Sequence, residues 1–167
     1  TDTFFYKVGE WVGPEKLAFW AEQFGLGEKT GIDIPSEAAG LVPNPQWKEE
    51  TTGERWFLGN TYHFAIGQAD LLTTPLQINM MTGVIASGGK LCRPKIAKGT
   101  DSSEVKDCQD LKIKPEYLKL ITEGMRETCS TGGTAFPFFN SKPQIACKTG
   151  TAEFGPLVNG KRKTHAW

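Results

Sequence analysis

Several features that would settle a class at once are missing from this sequence. No run approaches the roughly 20 consecutive apolar residues that a membrane helix needs, and the N-terminus has no basic-then-apolar signal pattern. Neither sign of charge prevails, with 19 Lys and Arg against 19 Asp and Glu. No overall field therefore recruits nucleic acid or an anionic membrane surface, and recognition falls to local charge. The four cysteines, Cys92, Cys108, Cys129 and Cys147, show no Cys-x-x-Cys spacing, which argues against a structural zinc site. Four cysteines allow three disulfide pairings, and free buried thiols are an equal alternative. The two histidines, His63 and His165, have no acidic or thiol neighbour at ligand spacing and read as structural. Internal repeats and low-complexity segments are absent, so solenoid architectures fall away. There is no initiator methionine, and the expectation is that the sequence is an excerpt of a longer chain.

What is present fits a globular domain. At 167 residues, with 38% hydrophobic and 23% charged residues, the chain can bury a sizeable core. The aromatic run from Thr1 to Val8 suits a strand or the start of a buried helix. Gly13-Pro14-Glu15 marks a helix start, with Leu17, Trp20, Ala21 and Phe24 at helical spacing for packing on the core before Gly25 stops the run. From Thr30 to Trp47 the proline-punctuated TGIDIP and GLVPNPQW pieces predict an extended connection with a structural role. Lys48 to Trp56 reads as a polar, exposed loop or short helix.

Thr74, Pro75 and Gln77 compose a capping box with proline at the first helical position. The helix that begins there carries Leu76, Met80 and Val84 at four-residue spacing, with Met81 and Ile85 beside them, and Gly88-Gly89 ends it. A hairpin-like excursion follows over Lys90 to Ile113, then a third helix from Pro115 to Cys129 with Leu118, Ile121 and Met125 on one face. Ser130-Thr131-Gly132-Gly133 closes that helix. Phe136, Phe138 and Phe139, like Trp11, Trp20, Trp47 and Trp56, read as core.

The chain is organised around Gln144-Ile145-Ala146-Cys147-Lys148-Thr149-Gly150-Thr151-Ala152-Glu153, an apolar run entering a cationic, hydroxyl-rich segment centred on glycine. It predicts a strand that carries a site, left through a turn at Phe154-Gly155-Pro156. Alternation puts Lys148 and Gly150 on one side and Cys147, Thr149 and Thr151 on the other. A glycine in such a strand lets a ligand or another backbone come close, where N–H groups and hydroxyls bind it, and a neighbouring lysine supplies positive charge for a carboxylate. Val158-Asn159-Gly160 offers a second turn and Lys161 to Trp167 a second strand.

Lys-Thr-Gly by itself is a weak signal. Together with Gly-Gly-Thr-Ala at 132–135, Pro-Phe-Phe at 137–139 and the flanking Ile-Ala-Cys and Thr-Ala-Glu, it resembles the third box of penicillin-binding protein transpeptidases. Gly67-Gln68 leading to Thr74-Pro75-Leu76-Gln77 is similar to a supporting element of that family. The TGIDIP to GLVPNPQW connection resembles the class B, elongation-type branch, penicillin-binding protein 2. Asp2 matches the third position of the family's Ser-x-Asn or Ser-x-Asp box, whose serine would fall just before Thr1.

The resemblance implies an α/β (α+β) fold of the serine β-lactamase and D,D-transpeptidase type, with an antiparallel sheet and a helical half. Residues 1–167 would form part of that domain, incomplete at both ends. It implies a peptidoglycan D,D-transpeptidase acting through an acyl-enzyme on D-Ala-D-Ala stem peptides. Lys148 would shape the positive field, and Thr149 and Thr151 would bind the terminal carboxylate of the peptide or of a β-lactam. Thr151 would also give its N–H to the oxyanion hole, Gly150 would keep the strand accessible, and Asp2 would complete the second box. No cofactor and no metal are implied. The implied partners are stem peptides, β-lactams and, through the parent protein, membrane proteins of cell-wall elongation, with no nucleic acid. The implied location is the outer face of the bacterial cell membrane, with an anchor outside this sequence.

A β-lactam sensor, a serine β-lactamase of the same fold and a non-catalytic remnant are the alternatives, and the TGIDIP connection favours the cell-wall enzyme. The family's Ser-x-x-Lys nucleophile has two literal matches, Ser87 to Lys90 and Ser103 to Lys106. Neither begins a buried helix, so no nucleophile is assigned within the sequence and the chain alone is expected to be inactive. An extracytoplasmic location would permit disulfides, with Cys92 to Cys108 and Cys129 to Cys147 as the expected pairs. Cys147 departs from the glycine usual before the family's lysine, and its side chain is expected to face away from the pocket.

Overall fold

The computed structural model describes residues 2–97 and 107–166. They fall into two compact units, Thr1–Leu111 and Lys112–Trp167.

The first unit opens with α1 (Asp2–Val12), so the N-terminal aromatic run takes the helical alternative. Gly13, at φ 82°, turns the chain into α2 (Pro14–Gln23), which has proline in its first turn. On α2 the face toward the core is Ala18 with Leu17 and Ala21. Trp20, expected inside, is 45% exposed. It packs edge-on to Phe19 and against Phe24 along the outer surface of its own helix, because the inner surface is already filled by smaller side chains.

Two expectations for the next stretch are corrected. Helix α3 (Pro45–Thr52) starts inside the connection read as extended, because the Asn44 side chain accepts the Trp47 N–H at 2.8 Å and Pro45 sits at the first position. Lys48, read as exposed, is buried: its ammonium is 3.1 Å from Glu54 and 3.8 Å from Asp70, and these pairings let a lysine lie inside. Helix α4 (Leu58–Ala65) had no counterpart in the sequence reading; Asn60 accepts the Phe57 N–H at 2.9 Å and fixes its start. Helices α1 and α4 meet at Gly9, where a Cβ would stand 2.5 Å from the Ala65 Cβ. Alongside, the Tyr6 and Tyr62 rings pack at a tilt of 30° with centres 5.3 Å apart, and the Tyr62 hydroxyl donates to Glu10 at 3.0 Å. The core gathers Ala18, Leu26, Val42 and Phe64, with Trp56, Leu71 and Met81 packed on it.

Helix α5 (Pro75–Ala86) carries the expected capping box, Gln77 N–H to Thr74 Oγ1 at 3.2 Å and Thr74 N–H to Gln77 Oε1 at 2.9 Å. The fully buried residues on it are Val84 and, unexpectedly, Gln77. The Gln77 amide also donates to the carbonyls of Glu28 at 2.7 Å and Ala39 at 2.8 Å, so its burial leaves no polar atom unpaired. Beside it Leu41 and Leu72 pair as a two-residue antiparallel bridge. Gly40, at φ 70°, allows that approach, since a Cβ there would lie 2.4 Å from the Leu72 carbonyl oxygen.

The extended connection is pinned at its other end by two carboxylates. Glu37 accepts the N–H groups of Thr30 at 2.8 Å and Gly31 at 3.0 Å together with the Thr30 hydroxyl. Asp33 accepts the N–H groups of Ile96 at 2.8 Å and Ala97 at 2.9 Å. The excursion is a hairpin of β1 (Lys90–Cys92) and β2 (Cys108–Asp110), antiparallel, with Cys92 opposite Cys108 and the two disulfide-bonded. Ser103 to Lys106, the second Ser-x-x-Lys match, lies outside the described residues.

The second unit begins with α6 (Pro115–Thr128), which buries Leu118. The chain then turns tightly back over the end of the helix. Ala135 N–H bonds the Thr128 carbonyl at 3.0 Å, and a Cβ on Gly133 would stand 2.2 Å from that same oxygen. A single 3₁₀ turn follows at Phe136–Phe138. Phe136, Phe138 and Phe139, read as core, are exposed. The reason is local: a one-turn helix after a tight reversal has no second layer of its unit to bury them.

An antiparallel ribbon of β3 (Thr151–Val158) and β4 (Lys161–Ala166) ends the unit. The strand expected from Gln144 starts only at Thr151. The turn expected at Phe154-Gly155-Pro156 is an irregularity inside β3, where the register shifts between Phe154 and Val158 and Gly155 adopts φ 73°. The reversal is made by Asn159 and Gly160, at φ 52° and 74°, as Asn-Gly does in a primed hairpin turn. Across the ribbon the His165 and Phe154 rings stack 3.9 Å apart.

Candidate functional site

From Gln144 to Gly150 the backbone runs extended without joining a ladder, yet it keeps the two-residue period. Ile145, Cys147 and Thr149 are half-buried, while Ala146, Lys148 and Gly150 are exposed. The alternation read from the sequence therefore holds through Gly150 and breaks there: Thr151, expected on the side of Thr149, is exposed, and Ala152 is half-buried. Because Cys147 and Lys148 fall on opposite sides, the cysteine that replaces the usual glycine does not crowd the lysine.

Three ties locate this segment. The Cys147 thiol is bonded to Cys129, the residue that caps α6, with Cα atoms 6.1 Å apart. The Cys147 N–H donates to the Met125 carbonyl at 3.0 Å, one helical turn earlier. The Thr149 and Thr134 hydroxyls lie 3.1 Å apart, which joins the segment to the Gly-Gly-Thr-Ala turn. Both disulfides match the pairs expected above.

Lys148 is exposed, and its ammonium folds back on the Thr149 carbonyl. Among the described residues no carboxylate pairs with it. What this arrangement offers chemically is a cation with no carboxylate partner among the described residues, a hydroxyl within hydrogen-bond distance of a second hydroxyl, and a strand starting at Thr151, all suited to holding an anionic group. Lys148, Thr149, Gly150 and Thr151 are thus contiguous in the second unit. Asp2 belongs to the first turn of α1, in the first unit.

Ser87, the first Ser-x-x-Lys match, is spent on structure. Its hydroxyl bonds the Val84 carbonyl at 3.1 Å and the Lys90 carbonyl at 2.8 Å, and it accepts the Lys90 N–H at 3.1 Å, closing the turn after α5. Sequence reasoning missed Thr134. That residue enters there only as part of a motif, and the signal available is its place directly after the glycine that brings the chain back over α6.

The family model of the penicillin binding protein transpeptidase domain matches residues 1–167. The peptidoglycan D,D-transpeptidase MrdA of Acinetobacter baumannii is 36% identical over 176 aligned residues, covering 99% of this chain and 25% of that protein. Among solved structures, the complex between Penicillin-Binding Protein (PBP2) and MreC from Helicobacter pylori aligns with TM-score 0.85 and 38% identity, covering 99% of this chain and 30% of that one. Pseudomonas aeruginosa PBP2 in complex with WCK 5153 aligns with TM-score 0.81 and 32% identity, covering 91% and 36%. The chain therefore spans between a quarter and about a third of the length of the proteins it resembles.

Proposed function

The chain belongs to the penicillin-binding protein transpeptidase family, with that family's α+β fold and in its class B, penicillin-binding protein 2 branch, and on that premise we propose that it supplies the substrate-holding half of a D,D-transpeptidase site. Residues 1–167 would be the C-terminal portion of the domain, with the serine nucleophile and its lysine on a preceding segment. In the reaction the serine oxygen attacks the carbonyl of the penultimate D-alanine and D-alanine leaves as the amine. An amine from a neighbouring stem peptide then takes the acyl group and frees the serine.

Thr149 and Thr151 bind the terminal carboxylate through their hydroxyls, Lys148 supplies the field that favours it, and the Thr151 N–H joins the nucleophile's own N–H in the oxyanion hole. Gly150 keeps the segment accessible and Asp2 completes the second box. The observation that carries this reading is the position of Thr149, its hydroxyl 3.1 Å from that of Thr134, on a segment that runs into β3 at Thr151. The two disulfides support a location on the outer face of the cell membrane, where such bonds persist. Stem peptides and β-lactams are the ligands. Likeness to a penicillin-binding protein solved with MreC supports a membrane-linked elongation partner for the parent.

The test is penicillin acylation of the full-length protein. Thr149→Val removes one hydrogen bond to a charged group and should cost about 1.5–3 kcal/mol, a ten- to hundred-fold loss. Lys148→Ala should cost more, since both the carboxylate and the developing oxyanion lose a nearby charge. Normal acylation of a folded Lys148→Ala protein would reduce this segment to scaffold. The chain alone, without a nucleophile, should take no label; stoichiometric labelling at Ser87 would overturn that assignment.

A further inference from the structure

We propose that the Cys129–Cys147 disulfide is a positioning element of the site, so that capture of the substrate carboxylate depends on its oxidation state. The inference rests on the reading above, in which Thr149 and Thr151 hold that carboxylate. Cys129 is 5% exposed and caps α6, which makes it a fixed point in its unit. Cys147 stands two residues before Thr149 and four before Thr151, on the same side of the extended backbone as Thr149. Between Pro143 and Gly150 no strand ladder fixes the chain. Besides the bridge, the ties from this segment to the rest of its unit, among the described residues, are one backbone hydrogen bond, from the Cys147 N–H to the Met125 carbonyl, and one hydroxyl pair, Thr149 with Thr134.

Single neutral hydrogen bonds contribute little net against water, and residues that bind a reacting group must be held to about half an ångström. The bridge is the tie that can hold them. Both cysteines are distinct from the reacting groups and act only through the residues they locate. Reduction by a dithiol breaks the S–S bond, delivers two electrons and two protons to give two thiols, and closes the dithiol into its own disulfide. The segment then keeps only its hydrogen bonds.

The experiment uses the full-length protein, oxidised and after dithiol treatment, with thiol alkylation and mass spectrometry reporting which bridge has opened. Acylation is followed with benzylpenicillin and, in parallel, with its methyl ester, which lacks the carboxylate. Reduction should slow acylation by the acid about ten- to a hundred-fold, the scale of loss that ångström-level misplacement brings. Ester acylation should change by less than about two-fold, and reoxidation should restore the acid rate. The Cys92→Ala/Cys108→Ala protein should respond to reduction in the same way, because that hairpin bridge lies in the other unit.

An unchanged acid rate with Cys129 and Cys147 alkylated overturns the proposal, and so does an equal loss for acid and ester, which would mark a purely structural bridge. Should the Cys129→Ser/Cys147→Ser variant fail to fold, reduction of the folded native protein still decides the matter. Thr149→Val separates the two layers of inference. If it fails to narrow the difference between acid and ester, the site reading falls and the tether with it. If it narrows that difference while reduction does nothing, only the tether falls.

Discussion

Residues 14–86 bury Ala18, Leu26, Val42, Phe64 and Val84 and close their polar interior around Gln77, whereas among the described residues from Lys112 onward the buried hydrophobic ones are Leu118, Cys129 and Ala135. In the second unit both strands of the ribbon are almost entirely exposed. A two-stranded ribbon is marginal by itself. Within residues 112–166 the discrete ties are a covalent bridge and a tight backbone reversal. A disulfide closing a loop of this size stabilises by about 3 kcal/mol in the chain-entropy account. The contrast shows where local changes matter: in the first unit through packed volume and buried polar partners, in the second through a few discrete ties that also set the site.

The largest expected effect tests whether a single tie governs the second unit. Gly133→Ala would drive a methyl to within 2.2 Å of the Thr128 carbonyl oxygen and 2.4 Å of that of Glu127, both backbone atoms that cannot swing aside. A cost of roughly 3 kcal/mol or more follows, at the upper end for overpacking. Hydrogen exchange on the full-length protein should quicken across 115–147 and stay unchanged across 14–86. Equal acceleration in both would mean that the units unfold together, and the contrast would collapse.

Gln77→Ala addresses the first unit. The variant leaves the carbonyls of Glu28 and Ala39 and the N–H of Thr74 without their partner in a fully buried place. Unsatisfied buried groups cost about 1–3 kcal/mol, so about 3 kcal/mol in denaturant unfolding is the expectation, with penicillin acylation per folded molecule unchanged. A variant as stable as the parent would show that water replaces the amide there.

Thr134→Val returns to the second unit with a smaller effect. It removes one neutral hydroxyl partner of Thr149 and keeps the shape, so acylation by a carboxylate-bearing penicillin should fall by about 1 kcal/mol, roughly five-fold, while stability barely moves. A loss of stability without a loss of acylation would make Thr134 part of the turn and not of the site.

How much of this was legible follows the same division. Helix α5 could be read because its signals are local: Thr74, Pro75 and Gln77 act within one turn, and Gly88-Gly89 stop it. That Gln77 also clamps Glu28 and Ala39 could not be read, since those partners lie 49 and 38 residues away. Helix α4 escaped notice because its start rests on Asn60 reaching back to Phe57, and its place on α1 rests on Gly9. The site segment was recognisable through its resemblance to the third box of the transpeptidase family. Its true boundary was not, because the ladder begins only where β4 supplies a partner, and β4 pairs Ala166 with Thr151. Proline and glycine at 155–156 spoke for a turn, but the register shift absorbed them within β3.

The smallest effect concerns acid, and it separates the loop that pins the first unit from the packing beneath it. Hydrogen bonds from Thr30, by its hydroxyl first and then its N–H, with the Gly31 N–H added, hold the Glu37 carboxyl below its ordinary range. The Ile96 and Ala97 N–H groups do the same for Asp33. A carboxyl whose folded pKa is lowered binds its proton less readily folded than unfolded. Its contribution is fully present above the unfolded pKa, near 4.5 for Glu37 and 3.8 for Asp33, and is lost as the pH falls through the folded value. Both groups are open to water, so the change is small and salt-sensitive. Glu37→Gln and Asp33→Asn should each be slightly less stable than the parent at pH 7, with the gap closing progressively below about pH 4.5 for Glu37 and below about pH 3.8 for Asp33. Urea unfolding of the three proteins at pH 7, 5 and 3 measures it. A gap that stayed constant down to pH 3 would mean that these side chains act through shape alone, and that the loop's hold on residues 93–97 does not depend on charge.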